Sequence, residues 1–250
     1  MDPAFAVDFL DAYVANYIRE EIQQEALVRN LDSFFRFLEI AALMNGQVAN
    51  IAGLARDAAV ARPTVQGYFA TLVDTLIGFW LPAWRKRVKV KEVASPKFYL
   101  FDPGVARALA GRSREPLDGT ERGFLLETWV LHELRAATSL HATGGRLSYW
   151  RTPSGSEVDF IWNRGARAVG MEVKAAAVWR GEYSAPLKSL IEAGALQAGY
   201  GVYTGSVELQ DGPVRVLPLH RFLGALANGT ILVGEDGGTA KGRRTVNAVP

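Results

Sequence analysis

The segment Glu157-Val-Asp-Phe-Ile-Trp-Asn-Arg-Gly-Ala-Arg-Ala-Val-Gly-Met-Glu-Val-Lys174 constrains this chain more than any other. Read as a β-hairpin with a two-residue Gly-X turn at Gly165-Ala166, it pairs Arg164 with Arg167 and, counting outward, Asp159 with Glu172. Directly opposed residues share a face of the sheet. Lys174, two residues beyond Glu172, shares that face, and Glu157 then stands opposite Lys174. The other face sets Val158, Phe160 and Trp162 against Val169, Met171 and Val173, an apolar surface that has to be buried. A slip of one residue would mix the two sets. Moving the turn to Arg164-Gly165 shifts the pairing by two and leaves Asp159 and Glu172 together.

Two carboxylates and an ammonium on one face suit a hard divalent ion with oxygen ligands, Mg²⁺ or Mn²⁺. Such an ion polarises a phosphodiester and activates water, and a nearby lysine can orient that water or stabilise developing negative charge. Asp159 and Glu172 are the candidate metal ligands and Lys174 the candidate catalytic lysine. A third carboxylate is expected from the preceding helix. Glu127, which follows the apolar run Phe124-Leu125-Leu126, is the first choice and Glu133 the second. The chain has no cysteine, so thiolate ligands and disulfides are excluded. The competing reading is an ordinary salt-bridged surface on an exposed sheet face. His132, His141 and His220 lack ligand spacing and read as surface or partly packed residues. Trp150-Arg151 offers a phosphate contact or simple strand packing.

The context of the hairpin is an α-β-β-β-α-β order: a helix from Thr120 to about Thr138, strands at Leu147–Arg151, Glu157–Trp162 and Ala168–Lys174, a helix at Ala185–Glu192 and a strand at Tyr200–Thr204. A strand at Val214–Leu217 and a helix at Leu219–Leu226 follow. Residues 229–250, rich in Gly, Thr and charge, read as a disordered tail. Upstream, residues 1–30 read as a helical linker and 31–104 as a winged-helix domain. Asn50 caps a short helix with Ile51, Leu54 and Ala55. Pro63 stands in the first turn of the next, whose buried face is Val65, Phe69, Leu72 and Leu76. Asp102-Pro103-Gly104 reads as a turn before the second domain, 105–228. Arg85, Lys86, Arg87, Lys89 and Lys91, with Lys97, form a basic stretch that reads either as a wing gripping phosphates or as a solvated hairpin. The helix after Pro63 offers few base-reaching side chains, so backbone contact or a structural role is expected rather than sequence reading.

The net charge is only +2 over 250 residues, so overall charge does not mark a nucleic-acid binder. No apolar run approaches a membrane span and no signal peptide is visible, so a cytoplasmic protein with no membrane partner is expected.

Asp159 followed by Glu172-Val-Lys174 after two strands resembles the core motif of the PD-(D/E)XK nuclease superfamily, with Val158 where the motif has proline. The resemblance implies an α/β (α+β) restriction-endonuclease-like domain with a mixed central sheet. It also implies metal-binding Asp159 and Glu172, catalytic Lys174 and a helix glutamate at Glu127. More of the chain is similar to the C-terminal region of a large family of predicted prokaryotic AAA-type ATPases, in which a winged helix and a nuclease-like domain of unknown function follow an ATPase module. The similarity runs through Tyr13–Ile22, Pro96-Lys-Phe-Tyr-Leu-Phe-Asp-Pro-Gly104, Gly123-Phe-Leu-Leu-Glu127 and Tyr149–Ile161. It implies DNA and an ATPase module as partners. No G-x-x-x-x-G-K-[ST] loop occurs in this sequence, so no ATP site is expected in it. A DNA-associated nuclease-like module and a non-catalytic DNA- or protein-binding regulatory module both remain open, and a homo-oligomer is compatible with either.

Overall fold

Capping residues set where the helices begin. The computed structural model describes residues 3–18, 20, 22, 30–85, 95–141 and 143–233. Helix α1 (Pro3–Ala12) runs on into a wider-turned segment, Tyr13–Ile18. Helix α2 (Leu31–Leu43) starts at Asn30, whose side chain accepts a hydrogen bond from Ser33 N, and α3 (Ile51–Asp57) at Asn50, which accepts from Gly53 N. Each cap satisfies a backbone donor that a first turn leaves free. Helix α4 (Arg62–Asp74) carries Pro63 in its first turn, as expected. Strands β1 (Gly78–Leu81) and β2 (Lys97–Leu100) pair antiparallel, and Val48 bridges to Lys97. Helix α5 (Pro103–Leu109) follows, with Asp102 accepting from Val105 N at 2.8 Å. Asp102-Pro103-Gly104 is thus a helix start and not a free turn, since an Asp cap and a first-position Pro serve both.

Phe34, Phe37, Leu38, Leu54, Val65, Phe69 and Leu72 form the first core, joined by Val105, Ala106 and Leu109 of α5. Leu76, expected on the buried face of α4, is 79% exposed, because the helix ends at Asp74 and Leu76 takes a left-handed turn conformation.

The second core is built on a mixed sheet. After helix α6 (Gly119–Leu140) come β3 (Arg146–Arg151), β4 (Glu157–Arg164), β5 (Arg167–Lys174), α7 (Ala185–Glu192) and β6 (Ala198–Tyr203), then β7 (Leu209–Asp211), β8 (Val214–Pro218), α8 (Leu219–Ala227) and α9 (Thr230–Val233). The anticipated α-β-β-β-α-β order is therefore present as α6 to β6. Strand order is β3-β4-β5-β6-β8-β7, antiparallel from β3 to β5, parallel from β5 through β6 to β8, and antiparallel at β7. Helices α6 and α8 cover one face and α7 the other, so the central strands are buried on both sides. Ile231 and Leu232 of α9 are buried, so the stretch expected to be a disordered tail starts with packed residues; 234–250 lie outside the described residues. No described helix is long and apolar enough to cross a membrane.

Strand β2 is the seam between the cores. Alternation sends Phe98 and Leu100 into the first core and Tyr99 into the second. Buried Asn45 ties the seam, donating from Nδ2 to Thr128 Oγ1 and accepting from Leu100 N, both at 2.8 Å. Trp84 N donates to Tyr149 O, and Tyr149 N to Pro82 O, so the chain after β1 extends the edge of β3.

Candidate functional site

The hairpin folds in the register counted from its turn: Arg164 faces Arg167, Trp162 faces Val169 and Phe160 faces Met171, with Gly165 at positive φ in the turn. Five of the six residues expected on one apolar face, Phe160, Trp162, Val169, Met171 and Val173, share the core under α6 and α8. Val158 does not; it belongs to the core on the α7 side. The reason is an irregularity in β4. Ser148 pairs with Ile161 and Trp150 with Val158, so Tyr149 stands opposite both Asp159 and Phe160. The extra residue interrupts the strict alternation on which the facial count rested.

The bulge sits at Asp159. Its Oδ2 accepts a hydrogen bond from Val173 N at 2.8 Å, tying it across to β5. Glu172 Oε1 accepts from Lys174 Nζ at 2.5 Å, and that ammonium lies 5.7 Å from the centroid of the Tyr183 ring. The two carboxylates do not lie on a solvated sheet face: Asp159 is 4% and Glu172 5% exposed, and Lys174 is half-buried. Helix α6 brings Glu127 to the same place, as expected. Glu133, the second choice, is elsewhere on that helix and accepts from Trp129 Nε1. A cavity of about 520 Å³ joins Glu127, Asp159, Glu172 and Lys174 to Lys97, Arg151, Glu157 and Tyr183, with Gly46 and Val48 of the N-terminal half in its wall.

Lys97 corrects the reading of the basic stretch. It is 3% exposed and enters this cavity from β2, where Nζ contacts Glu157 and lies 3.8 Å from Glu127 Oε2. It is no part of a solvated wing. Glu157, expected opposite Lys174, instead holds Lys97 and Arg151, the latter at 3.4 Å. Arg85 is exposed, while Lys86, Arg87, Lys89 and Lys91 lie outside the described residues. Of the histidines, His132 is partly packed, its Nε2 donating to Leu100 O at 3.1 Å. Trp150 is buried, and Arg151 lines the cavity.

The electrostatics follow from burial. Desolvation, then the neighbouring Asp159 charge, pushes Glu127 up to about 8. Burial raises Asp159, against the pull of Lys174, Lys97 and the Val173 N–H. Burial and Asp159 raise Glu172 well above the carboxylate range. Burial opposes the charge on Lys174, but Asp159 and Glu172 outweigh it and hold the ammonium above its ordinary value. Among the described residues, the buried Glu127 Oε2, Glu172 Oε2 and Tyr99 Oη have no hydrogen-bond partner. Unpartnered buried carboxylate oxygens are the donors a hard divalent ion takes, so Glu172 and Glu127, with Asp159 lining the same cavity, fit Mg²⁺ or Mn²⁺. Among the described residues no three His, Asp or Glu side chains converge tightly enough to hold an ion unaided. Water or a substrate oxygen would therefore complete the shell.

Glu127 makes stability depend on pH. Its carboxyl titrates near 8 when folded and near 4.5 when free, so between those values the folded state keeps a proton that the unfolded state has lost. Stability therefore falls as pH rises through that window. Glu127→Gln is expected to reduce this decline, by at most about 1.4 kcal/mol per pH unit. Urea unfolding of both proteins from pH 5 to pH 8 measures it, and parallel curves would exclude Glu127 as the source.

Two domain families match the chain, both described as domains of unknown function: DUF8612 over residues 2–116 and DUF4143 over residues 122–222. Uncharacterized proteins of Mycobacterium tuberculosis and Mycobacterium bovis are each 28% identical over 166 residues, 66% of this chain. The match spans 37% of the length of those relatives. No solved structure matches.

Lys97 and Tyr99 are the residues beside the carboxylates to which sequence reasoning gave no place in the site. Their one signal was the segment Pro96-Lys97-Phe98-Tyr99, where a lysine and a tyrosine alternate with apolar residues in a strand.

Proposed function

We propose that this chain is a DNA-associated module whose C-terminal half carries a PD-(D/E)XK nuclease-like site for divalent-ion-assisted phosphodiester hydrolysis. The observation that carries this reading is the convergence of Asp159, Glu172, Lys174 and Glu127 in one cavity at a β-bulge. The α6-to-β6 order with a mixed sheet supports the nuclease-like assignment. The succession of α2, the Val48 bridge, α3, α4, β1 and β2 supports a winged helix upstream. Asp159 and Glu172 would hold Mg²⁺ or Mn²⁺, which would lower the pKa of water and polarise the phosphate. Lys174, anchored on Glu172, orients the attacking water and stabilises charge developing on the phosphate oxygens. Glu127, which α6 brings into the same cavity, would exchange a proton with that water. Exposed Arg85 and the basic residues after it supply phosphate contacts that strengthen as salt falls.

Incubation of supercoiled plasmid with Mn²⁺ or Mg²⁺ tests the reading. Nicking is expected from the natural sequence and is lost in Asp159→Asn and with chelator. An Asp159→Asn protein that cuts equally well removes the site from the chemistry.

A second reading has its own observation. Lys97 and Lys174 are both ion-paired inside the cavity, which matches the carboxylates with protein cations. On that reading the chain is a non-catalytic regulatory module of an AAA-type ATPase. Absence of Mn²⁺ binding by calorimetry, together with unchanged stability in Asp159→Asn, favours it.

A further inference from the structure

Lys97 is fixed from two sides. Its neighbours Phe98 and Leu100 are core residues of the N-terminal half, and its backbone pairs with Leu81 and bridges to Val48. Its ammonium nevertheless belongs electrostatically to the other half: it contacts Glu157, lies 3.8 Å from Glu127 Oε2 and stands 5.3 Å from the centroid of the Tyr149 ring. The backbone that carries the ammonium is thus held by the first core. Tyr99, two residues on along the same strand, brings into the second core a buried hydroxyl that has no hydrogen-bond partner among the described residues. The N-terminal half thus contributes a positive charge to a cavity whose inner carboxylates, Glu127, Glu157, Asp159 and Glu172, come from α6, β4 and β5.

We propose that Lys97 is a built-in competitor for the divalent ion: its ammonium occupies Glu127 and Glu157 and sets how tightly the Asp159 and Glu172 site takes a divalent cation. This rests on the divalent-ion reading of that site. A cation lining the same cavity as a bound ion repels it, and in a buried cavity the repulsion is screened far less than in water. Ion loading draws Glu127 away from Lys97, and so is coupled to the seam along β2. The affinity of the C-terminal site is thereby set by the docking of the N-terminal half.

Calorimetric titration with Mn²⁺ tests the proposal in the full chain. Lys97→Met is expected to bind Mn²⁺ at least about tenfold more tightly than the natural sequence, and Lys97→Arg within about threefold of it, because the charge remains. Single removal of a buried partner can unfold a protein. The double variant Lys97→Met/Glu157→Gln therefore removes the pair together and leaves the net charge of the cavity unchanged. Tighter Mn²⁺ binding in the double variant, abolished by adding Asp159→Asn, supports competition at Glu127 rather than a change of net charge. Unchanged or weaker binding in both Met variants, with the natural sequence still binding, overturns the proposal and leaves the ion site standing. No Mn²⁺ binding by any of the proteins overturns both.

Discussion

Lys174→Ala is expected to lower divalent-ion-dependent DNA cleavage by about 100-fold or more, the loss seen when one pre-organised stabiliser of transition-state charge is removed. The expectation depends on how the ammonium is held. Lys174 Nζ donates to Glu172 Oε1 at 2.5 Å, and Asp159, Glu172 and Glu127 all favour its charged form. A group held this way costs little reorganisation when charge develops on the substrate. Mn²⁺ binding is expected to survive in Lys174→Ala, because the candidate ligands are carboxylates. The deficit should therefore appear in turnover at saturating ion. Single-turnover cleavage with calorimetry on the same preparation separates the two. Undiminished cleavage by Lys174→Ala would exclude the lysine from the mechanism. A loss of cleavage accompanied by a loss of Mn²⁺ binding would assign it to organising the carboxylates.

Phe160→Ala is expected to destabilise the protein by about 3–5 kcal/mol, the range for truncating a fully buried aromatic. Phe160 is 0% exposed and packs in the core with Val130, Leu131, Tyr149 and Met171, its ring 6.5 Å from that of Tyr99. It also occupies the second position of the bulge that seats Asp159, so the cavity left behind lies directly beside the site. Urea unfolding monitored by circular dichroism measures the loss. Leu76→Ala, at an exposed turn residue, is the matched control and should change stability by less than about 0.5 kcal/mol. A loss at Phe160 no larger than the control's would mean that the core is not closed around that ring. A folded Phe160→Ala protein that retains full Mn²⁺ affinity would show that Asp159 keeps its place without that ring.

Much of this architecture was legible because it is local. The Asn50 cap, Pro63 in its first turn, the Gly165 turn and the Arg164–Arg167 pairing each depend on neighbours a few residues away. The convergence of Asp159, Glu172 and Lys174 followed from counting outward along two strands from that turn. Glu127 followed from its place after an apolar run on the preceding helix. The same counting failed at Val158, because the bulge arises between β3 and β4 and nothing inside the hairpin signals it. It failed at Leu76 because a helical spacing does not announce where the helix stops.

The sequence by itself determined the hairpin, its register and the identity of three polar residues at its base, since backbone pairing and side-chain alternation are short-range geometry. Only the tertiary structure decided that these residues are buried and what charge surrounds them. Burial on both faces needs α6, α7 and α8, and the cation beside Glu127 needs β2, a strand whose alternate side chains enter two different cores. Lys97 looked like one more residue of a solvated basic stretch, because a lysine's environment is set by what packs over it and not by its neighbours in the chain.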